Sequence, residues 1–462
     1  MSDARDLTSG SIGAHLTRMT IPMFLGIASM ILASMTDTIF VGMIGAAELA
    51  AYSFTFPLMM GLSSVSMGLG TGASSLIARA EGAGDRDRVM RLATHAMVMS
   101  CGLVAVLVVA ALFWQRELFE FMGASREILD LVMVYMNIWV LGLPLFTLPM
   151  IASTVLRAVG IAKLPGYIMV GASAVQILLT PVLAFGLLGV PEFGFEGVAI
   201  ASVLAGFVRT IPMLLVLTLG EKMLLFHRSS LHGIFDSTRQ ILYIALPSML
   251  SSLIAPASMA VVLALLAAHS AEVVAGFGIA SRIEMLVTMV IMSLSSSVAP
   301  FVGQNWGAGK IERVYAGLRI SCLFAAAWGL GCVLFLWPTA EWLVAAINDD
   351  ASLVESAVWY LWLTSLGIAP LGVGMMASSL FIALGKPIPP FLLSLIRTVG
   401  MIPLAFALDA QLGYVGIYAA GLAANTVMAA VAYIWGMRML RSAAARLPGR
   451  SDDQADRLTG AD

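Results

Sequence analysis

The sequence predicts an all-α polytopic membrane protein, with twelve transmembrane helices arranged as two homologous six-helix lobes. Three observations predict it. Of the 462 residues, 60% are hydrophobic and 11% charged, at a mean hydropathy of +0.95; soluble domains carry about 25% charged residues. The apolar residues fall into twelve runs, each near the ~20 residues with which a helix crosses a bilayer. These runs leave no room for a soluble catalytic domain. Finally, short pieces of sequence recur in the same order in the two halves.

The first run, 16–44, follows a mixed tail, "MSDARDLTSG". A cleavable signal carries an apolar core of about 7–15 residues behind a basic tip; this run is long enough to span, so 1–15 is expected to stay as an N-terminal tail. The second run, 52–77, leaves the membrane at "GAGDRDRV". The third and fourth, 93–113 and 131–156, flank a connection holding Arg116 and Arg126, and the fifth and sixth, 167–189 and 197–219, flank the acidic "PEFGFEG". These six form an N-lobe, 16–219, followed by a basic linker, 220–240. The C-lobe, 241–437, holds runs 241–268, 273–303, 318–340, 357–384, 390–410 and 414–437. The last stretch, 438–462, is basic and then polar, with the composition of a disordered tail.

Orientation follows from the basic residues. If the N-terminus is cytoplasmic, so are the even-numbered connections and both tails. Arg79, Arg86, Arg88 and Arg91 lie in one such connection, and Arg438, Arg441 and Arg446 near the C-terminus. The odd-numbered connections hold only Arg116 and Arg126 among basic residues and carry Glu192, Glu196, Asp349 and Asp350. This is the positive-inside pattern, and it predicts that both termini of this multi-pass protein are cytoplasmic. Cys101, Cys322 and Cys332 fall inside apolar runs and read as packing thiols.

The repeat is visible in loops and turns. Gly82 of "GAGDRDRV" and Gly307 of "GAGKIERV" are as far apart as Gly160 of "RAVGIAKLP" and Gly385 of "IALGKPIPP", and as Pro22 and Pro247. "GFEGVAIAS" around Gly197 likewise resembles "GYVGIYAAG" around Gly416, at a slightly shorter spacing. Six spans per repeat give both halves the same orientation, so their relating axis runs along the membrane normal, as in many secondary transporters. The less specific reading is a duplicated bundle that scaffolds a channel or an assembly factor.

The pieces "MTIPMFL", "DTIFVGMIGAAELAAYS", "GAGDRDRV" and "GQNWGAGKIERV", with their spacing, resemble the multidrug and toxic compound extrusion (MATE) transporters over about residues 10 to 440. The resemblance implies a bacterial inner-membrane antiporter with two lobes around a V-shaped central cleft. It would export amphipathic, often cationic, organic compounds in exchange for protons or sodium ions, without a cofactor.

Few charges interrupt the spans: Asp37, Arg209, Arg282, Glu284 and Arg397, with Asp409 near an end. Between Arg18 and Glu48, Asp37 stands alone. An Asp at the centre of a membrane helix costs about 2.5–3.5 kcal/mol on insertion scales, and such a carboxyl can take up a proton or a small cation. Loading changes local charge by one unit, enough to bias a two-state motion. The plainer role is helix-to-helix hydrogen bonding with Ser34, Thr36 and Thr38 nearby. The resemblance assigns Asp37 to ion coupling in the N-lobe. Where the family's fifth helix has Asn, three residues and Asp-Pro, this chain has "QILLTP", so Gln176, Thr180 and Pro181 stand there. Ser202 of "IASV" stands at the matching hydroxyl position of the sixth helix. Hard cations bind better with more charged oxygens, so with Thr180 in place of the acid the coupling ion is expected to be the proton rather than sodium.

In the C-lobe the repeat places Val262 at the position of Asp37, and "SRIEML" brings Arg282 and Glu284 into the eighth run. Residues two apart on a helix do not face each other, so either Glu284 lines the cleft or it pairs within the lobe, with Arg397 as a partner. Arg209 reads as structural. Of the 30 methionines, most are membrane-core filling, while Met30, Met35 and Met285 sit where they would touch cargo in the cleft.

Enzyme chemistry has no support: there is no P-loop, zinc-protease helix or nucleophile elbow, and the five histidines do not cluster in sequence. The expected partners are small organic substrates, a coupling cation and the lipid bilayer, with no nucleic acid, and the chain is expected to act as a monomer. The closest alternative function is a flippase for a lipid-linked precursor on a related architecture, for which a basic cleft would speak. A non-transporting membrane assembly protein is the alternative of another class.

Overall fold

The computed structural model describes residues 6–225 and 232–445, so the C-terminal stretch 446–462 with Arg446, and part of the linker with His227, lie outside the described residues. The described chain is helical, in the order α1 (Ile12–Ile44), α2 (Ala46–Gly82), α3 (Arg86–Phe121), α4 (Arg126–Leu141), α5 (Leu143–Ala158), α6 (Lys163–Ala184), α7 (Gly194–Leu215), α8 (Ile234–Ala267), α9 (Ala271–Gly307), α10 (Ile311–Ala345), α11 (Ala351–Ala383), α12 (Ile388–Leu412) and α13 (Tyr414–Ala444). Ten of these are long and apolar enough to cross a membrane. The pair α4 and α5 makes an eleventh span, bent by 45°. Gly142 and a proline in the first turn of α5 sit at the bend; proline lacks the N–H that would continue the helix. The twelfth is α2, 37 residues long, diluted by glycine, serine and threonine.

Two compact units result. The first comprises Arg18–Glu81 with Asp85–Ala245; the second holds the described residues up to Thr17, Gly82–Gly84 and those from Leu246 onward. The first packs around Tyr135, Met136, Trp139, Phe119 and Phe195. The second has a corresponding cluster of Leu266, Phe277, Met401, Ala405 and Tyr418. Helix α8 reaches back to Ile234, into the stretch read from sequence as linker, and α13 continues to Ala444, past 437.

The repeated motifs have structural reasons. Gly84 and Gly309, in the paired "GAG" turns, both have positive φ (74° and 71°), as do Gly160 and Gly385 (85° and 74°). Only glycine adopts that conformation without strain, so these turns end their helices at equivalent places in both halves. After the first "GAG", Asp85 caps α3 by accepting from the Arg88 backbone N–H at 3.0 Å. Gly197 and Gly416 are also equivalent: a Cβ on either would run into the backbone of Leu183 or Leu408 in the preceding helix. Small residues let membrane helices approach this closely.

The N-terminal tail is not free. Leu7 is 1% exposed; its N–H donates to Gln304 Oε1 at 3.2 Å and its carbonyl accepts from Asn305 Nδ2 at 3.0 Å. Lys310 Nζ donates to the Thr8 carbonyl at 2.8 Å, and Arg313 Nη1 to the Gly10 carbonyl at 2.9 Å. Residues 6–10 are thus held by the α9–α10 turn of the second unit, using the residues of the second "GAG" motif.

Candidate functional site

Asp37 lies on α1 and is 2% exposed. Its carboxylate meets α6, where Gln176 and Thr180 are one turn apart on one face. Thr180 Oγ1 donates to Oδ1 at 2.8 Å and Gln176 Nε2 to Oδ2 at 2.7 Å. Gln176 Nε2 also reaches Ser202 Oγ on α7 at 3.3 Å. The four residues singled out from sequence for the N-lobe therefore form one cluster. Thr36 and Thr38 are not part of it, because their hydroxyls bond back to the carbonyls of Leu32 and Ser34 within α1.

Two tyrosines complete the cluster, and neither stood out in the sequence. The Tyr135 side chain of α4 lies near Ser202 and Tyr52, and that of Tyr52 of α2 lies near Ser34. Their rings meet edge-on at 5.4 Å, and Tyr135 stacks on Phe195 at 5.1 Å. Among the described residues, every hydrogen-bond partner of Asp37 is neutral. The site therefore holds a charge of minus one when empty and zero when a proton is bound.

The equivalent place in the second unit is a cavity of about 220 Å³. Its wall includes Val262, Phe277, Met401 and Gly421, which the repeat places at Asp37, Tyr52, Gln176 and Ser202. The polar cluster of one lobe is thus replaced by an apolar surface in the other. Polar groups enter from positions that have none in the first lobe: Glu284 and Arg397 correspond to Met59 and Ala172. Glu284 of α9 accepts a hydrogen bond from the Tyr360 hydroxyl of α11. Arg397 of α12 donates through Nη1 to Asn425 Oδ1 of α13 at 3.0 Å and lies within electrostatic reach of Glu284. Tyr360 is the repeat equivalent of Tyr135, a correspondence the spacing of the repeat already contained.

The other residues singled out lie elsewhere. Arg282 is exposed and Met285 is 50% exposed, and neither lines the cavity. Met30 and Met35 are 41% and 42% exposed on α1. Arg209 of α7 lies over the Phe146 ring, 5.2 Å from its centroid, a cation–π contact. Asp409 bonds His269 Nε2 at 2.6 Å.

Known proteins bear on this arrangement. The sequence pattern of the family described as MatE matches the chain twice, over residues 22–182 and 247–407, each copy starting at a proline of the repeat. The FAD transporter of Shewanella oneidensis is 31% identical over 448 residues, covering 95% of this chain and 97% of that protein. The multidrug export protein MepA of Staphylococcus saprophyticus is 20% identical over 425 residues, covering 92% and 93%. The Vibrio cholerae MATE transporter VcmN in its bent form superposes with a TM-score of 0.88 at 25% identity, over 94% of this chain and 98% of that one. Two matched halves, many membrane-spanning helices and a relative alike over nearly the full length lead to one assignment: the chain belongs to the MatE family and is a multi-pass membrane transporter, not an enzyme.

Proposed function

We propose that the protein is a secondary antiporter that exports amphipathic organic compounds in exchange for protons, by alternating access. It would sit in a bacterial inner membrane with both termini cytoplasmic, which the distribution of Arg and Lys supports. The observation that carries the coupling is the surroundings of Asp37. Its oxygens accept hydrogens from Thr180 and Gln176, and no second carboxylate joins it among its described partners. A sodium ion needs several oxygen ligands turned towards it, preferably charged; here the hydrogens occupy that space. A proton needs only the carboxylate, so proton coupling is the better fit.

The cargo class is supported by the relatives, of which one is an FAD transporter and another a multidrug exporter. FAD fits the amphipathic class, with aromatic ring systems at both ends and a charged diphosphate between them. Cationic cargo gains little support from the second lobe, where Glu284 is engaged by Tyr360 and faces the charge of Arg397.

The test is efflux from membrane vesicles under separately imposed proton and sodium gradients, using fluorescent cargoes of both charges. Transport is expected to follow the proton gradient, to ignore the sodium gradient, and to fall to the passive leak in Asp37→Asn. Undiminished gradient-driven transport by Asp37→Asn would sink the mechanism, and sodium dependence in the wild type would sink the choice of ion.

A further inference from the structure

Arg397 is a cation in the interior of a membrane lobe whose described environment leaves it short of acceptors. Its guanidinium carries five N–H donors, of which one bonds Asn425. Among the described residues no carboxylate lies within ion-pair distance of it. The group lines the cavity together with Glu284, which acts on it through space while its own carboxylate accepts from Tyr360. The rest of the wall is mostly aromatic and aliphatic, with Ser258, Thr364 and Asn425 among it; Phe277 and Tyr360 meet edge-on at 5.0 Å, and Tyr360 and Tyr418 likewise at 5.0 Å. Neither charge has a counterpart in the first lobe, where Met59 and Ala172 occupy the equivalent positions. The pair is therefore particular to the second lobe.

From these observations we infer that the second-lobe cavity is an oxyanion subsite, in which Arg397 receives an acidic group of the cargo while Phe277, Tyr360 and Tyr418 contact its aromatic body. Guanidinium suits this task because its planar fork matches a carboxylate or phosphate in two parallel hydrogen bonds. A buried charge of this kind is stable only when paired. With the cavity empty, Glu284 supplies the opposite charge at a distance; a bound oxyanion supplies it in contact. A cation in the same space would have to lie beside Arg397, which disfavours it. Pockets that enclose a whole drug-sized ligand run to about 300–1,000 Å³. A cavity of about 220 Å³ accepts one end of such a molecule, the end with the charge. The inference rests on the reading of the chain as an exporter of amphipathic compounds, and narrows that class to members carrying an oxyanion.

FMN and riboflavin test it, because they share a ring system and differ by one phosphate. Equilibrium binding is measured on the purified full chain in detergent, by quenching of flavin fluorescence. Wild type is expected to bind FMN about tenfold or more tighter than riboflavin, and Arg397→Gln to bring the two affinities together by weakening FMN alone. Arg397→Lys keeps the charge without the fork and is expected to retain a reduced preference. Equal binding of the two flavins by wild type, or an undiminished FMN preference in Arg397→Gln, overturns the proposal. Inorganic phosphate alone is expected not to displace FMN at matched concentration; displacement would mean a free-phosphate site and would also overturn it. Should Arg397→Gln fail to fold, Glu284→Gln decides: removing the competing carboxylate raises FMN affinity, and an unchanged or lower affinity counts against the subsite. Because binding in detergent requires no gradient, these results stand apart from the efflux test. Loss of the FMN preference with proton-driven efflux intact rejects the subsite alone. Retained preference without proton-driven efflux rejects the antiport reading alone.

Discussion

At the scale of residues, the proton coupling proposed for the first lobe rests on Thr180. Its hydroxyl gives Asp37 a hydrogen bond at 2.8 Å and is 0% exposed. Replacing it with an acid would put two carboxylates on one buried site. Like charges so close cannot both stay ionised without a cation between them, and a second charged oxygen favours a hard ion. Thr180→Asp is therefore expected to confer sodium dependence on efflux while weakening the response to the proton gradient. Efflux with and without sodium at fixed pH checks this; a variant as indifferent to sodium as wild type would show that carboxylate count does not select the ion. The adjacent Tyr135 and Tyr52 hold the far side of the cluster and escaped sequence reasoning because an aromatic residue in an apolar run ordinarily reads as packing.

At the scale of elements, the contact of α12 with α13 depends on Gly416. A Cβ there would meet the carbonyl and backbone of Leu408, which has no freedom to turn away. Gly416→Val is expected to force the two helices apart, at an overpacking cost of about 1–3 kcal/mol or more. It should lower the unfolding midpoint of the protein in detergent; an unchanged midpoint would mean that the helices can part freely. Residues 6–10 offer a second, milder case. Asp6 accepts from Thr8 Oγ1 at 2.7 Å and from Ser9 Oγ at 2.6 Å. These bonds, and the charge of Lys310, hold its carboxyl at about 2 instead of 3.8. A depressed carboxyl contributes its stabilisation above the unfolded value and loses it as pH falls through the folded one. The turn is therefore expected to be fully formed above 3.8 and to loosen as pH drops towards about 2. Asp6→Asn should reproduce that loosening at neutral pH, seen as faster amide exchange at residues 7–10 than in wild type. Equal exchange in the two would place the hold on this segment with Gln304, Asn305, Lys310 and Arg313 alone.

At the scale of the whole molecule, the spans and the duplication were legible because membrane burial writes itself into composition and because turns requiring glycine recur at fixed spacing. The cluster at Asp37 was legible too, because the family resemblance supplied Gln176, Thr180 and Ser202, the first two of which share a helical face. Three things were not. The meeting of Glu284 with Tyr360, and of Arg397 with Asn425, joins four helices, and no local period encodes such contacts. The break at Gly142 lies inside one continuous apolar run. The docking of residues 6–10 depends on partners about 300 positions away, so a polar segment read alone looks like a free tail.

A solitary carboxylate with neutral neighbours would also set an exchange ratio under the proposed proton coupling. If Asp37 is the only group that loads and unloads, one proton crosses per cycle. The steepness of export then has a ceiling. Each 100 mV of driving force is worth about 2.3 kcal/mol per elementary charge, so an uncharged cargo could be concentrated about fifty-fold for each 100 mV and no further. An anionic cargo leaving a negative cell interior would gain from the membrane potential as well. With the same lone proton, the pump would work against a steeper gradient for acids than for neutral compounds, and against a shallower one for cations.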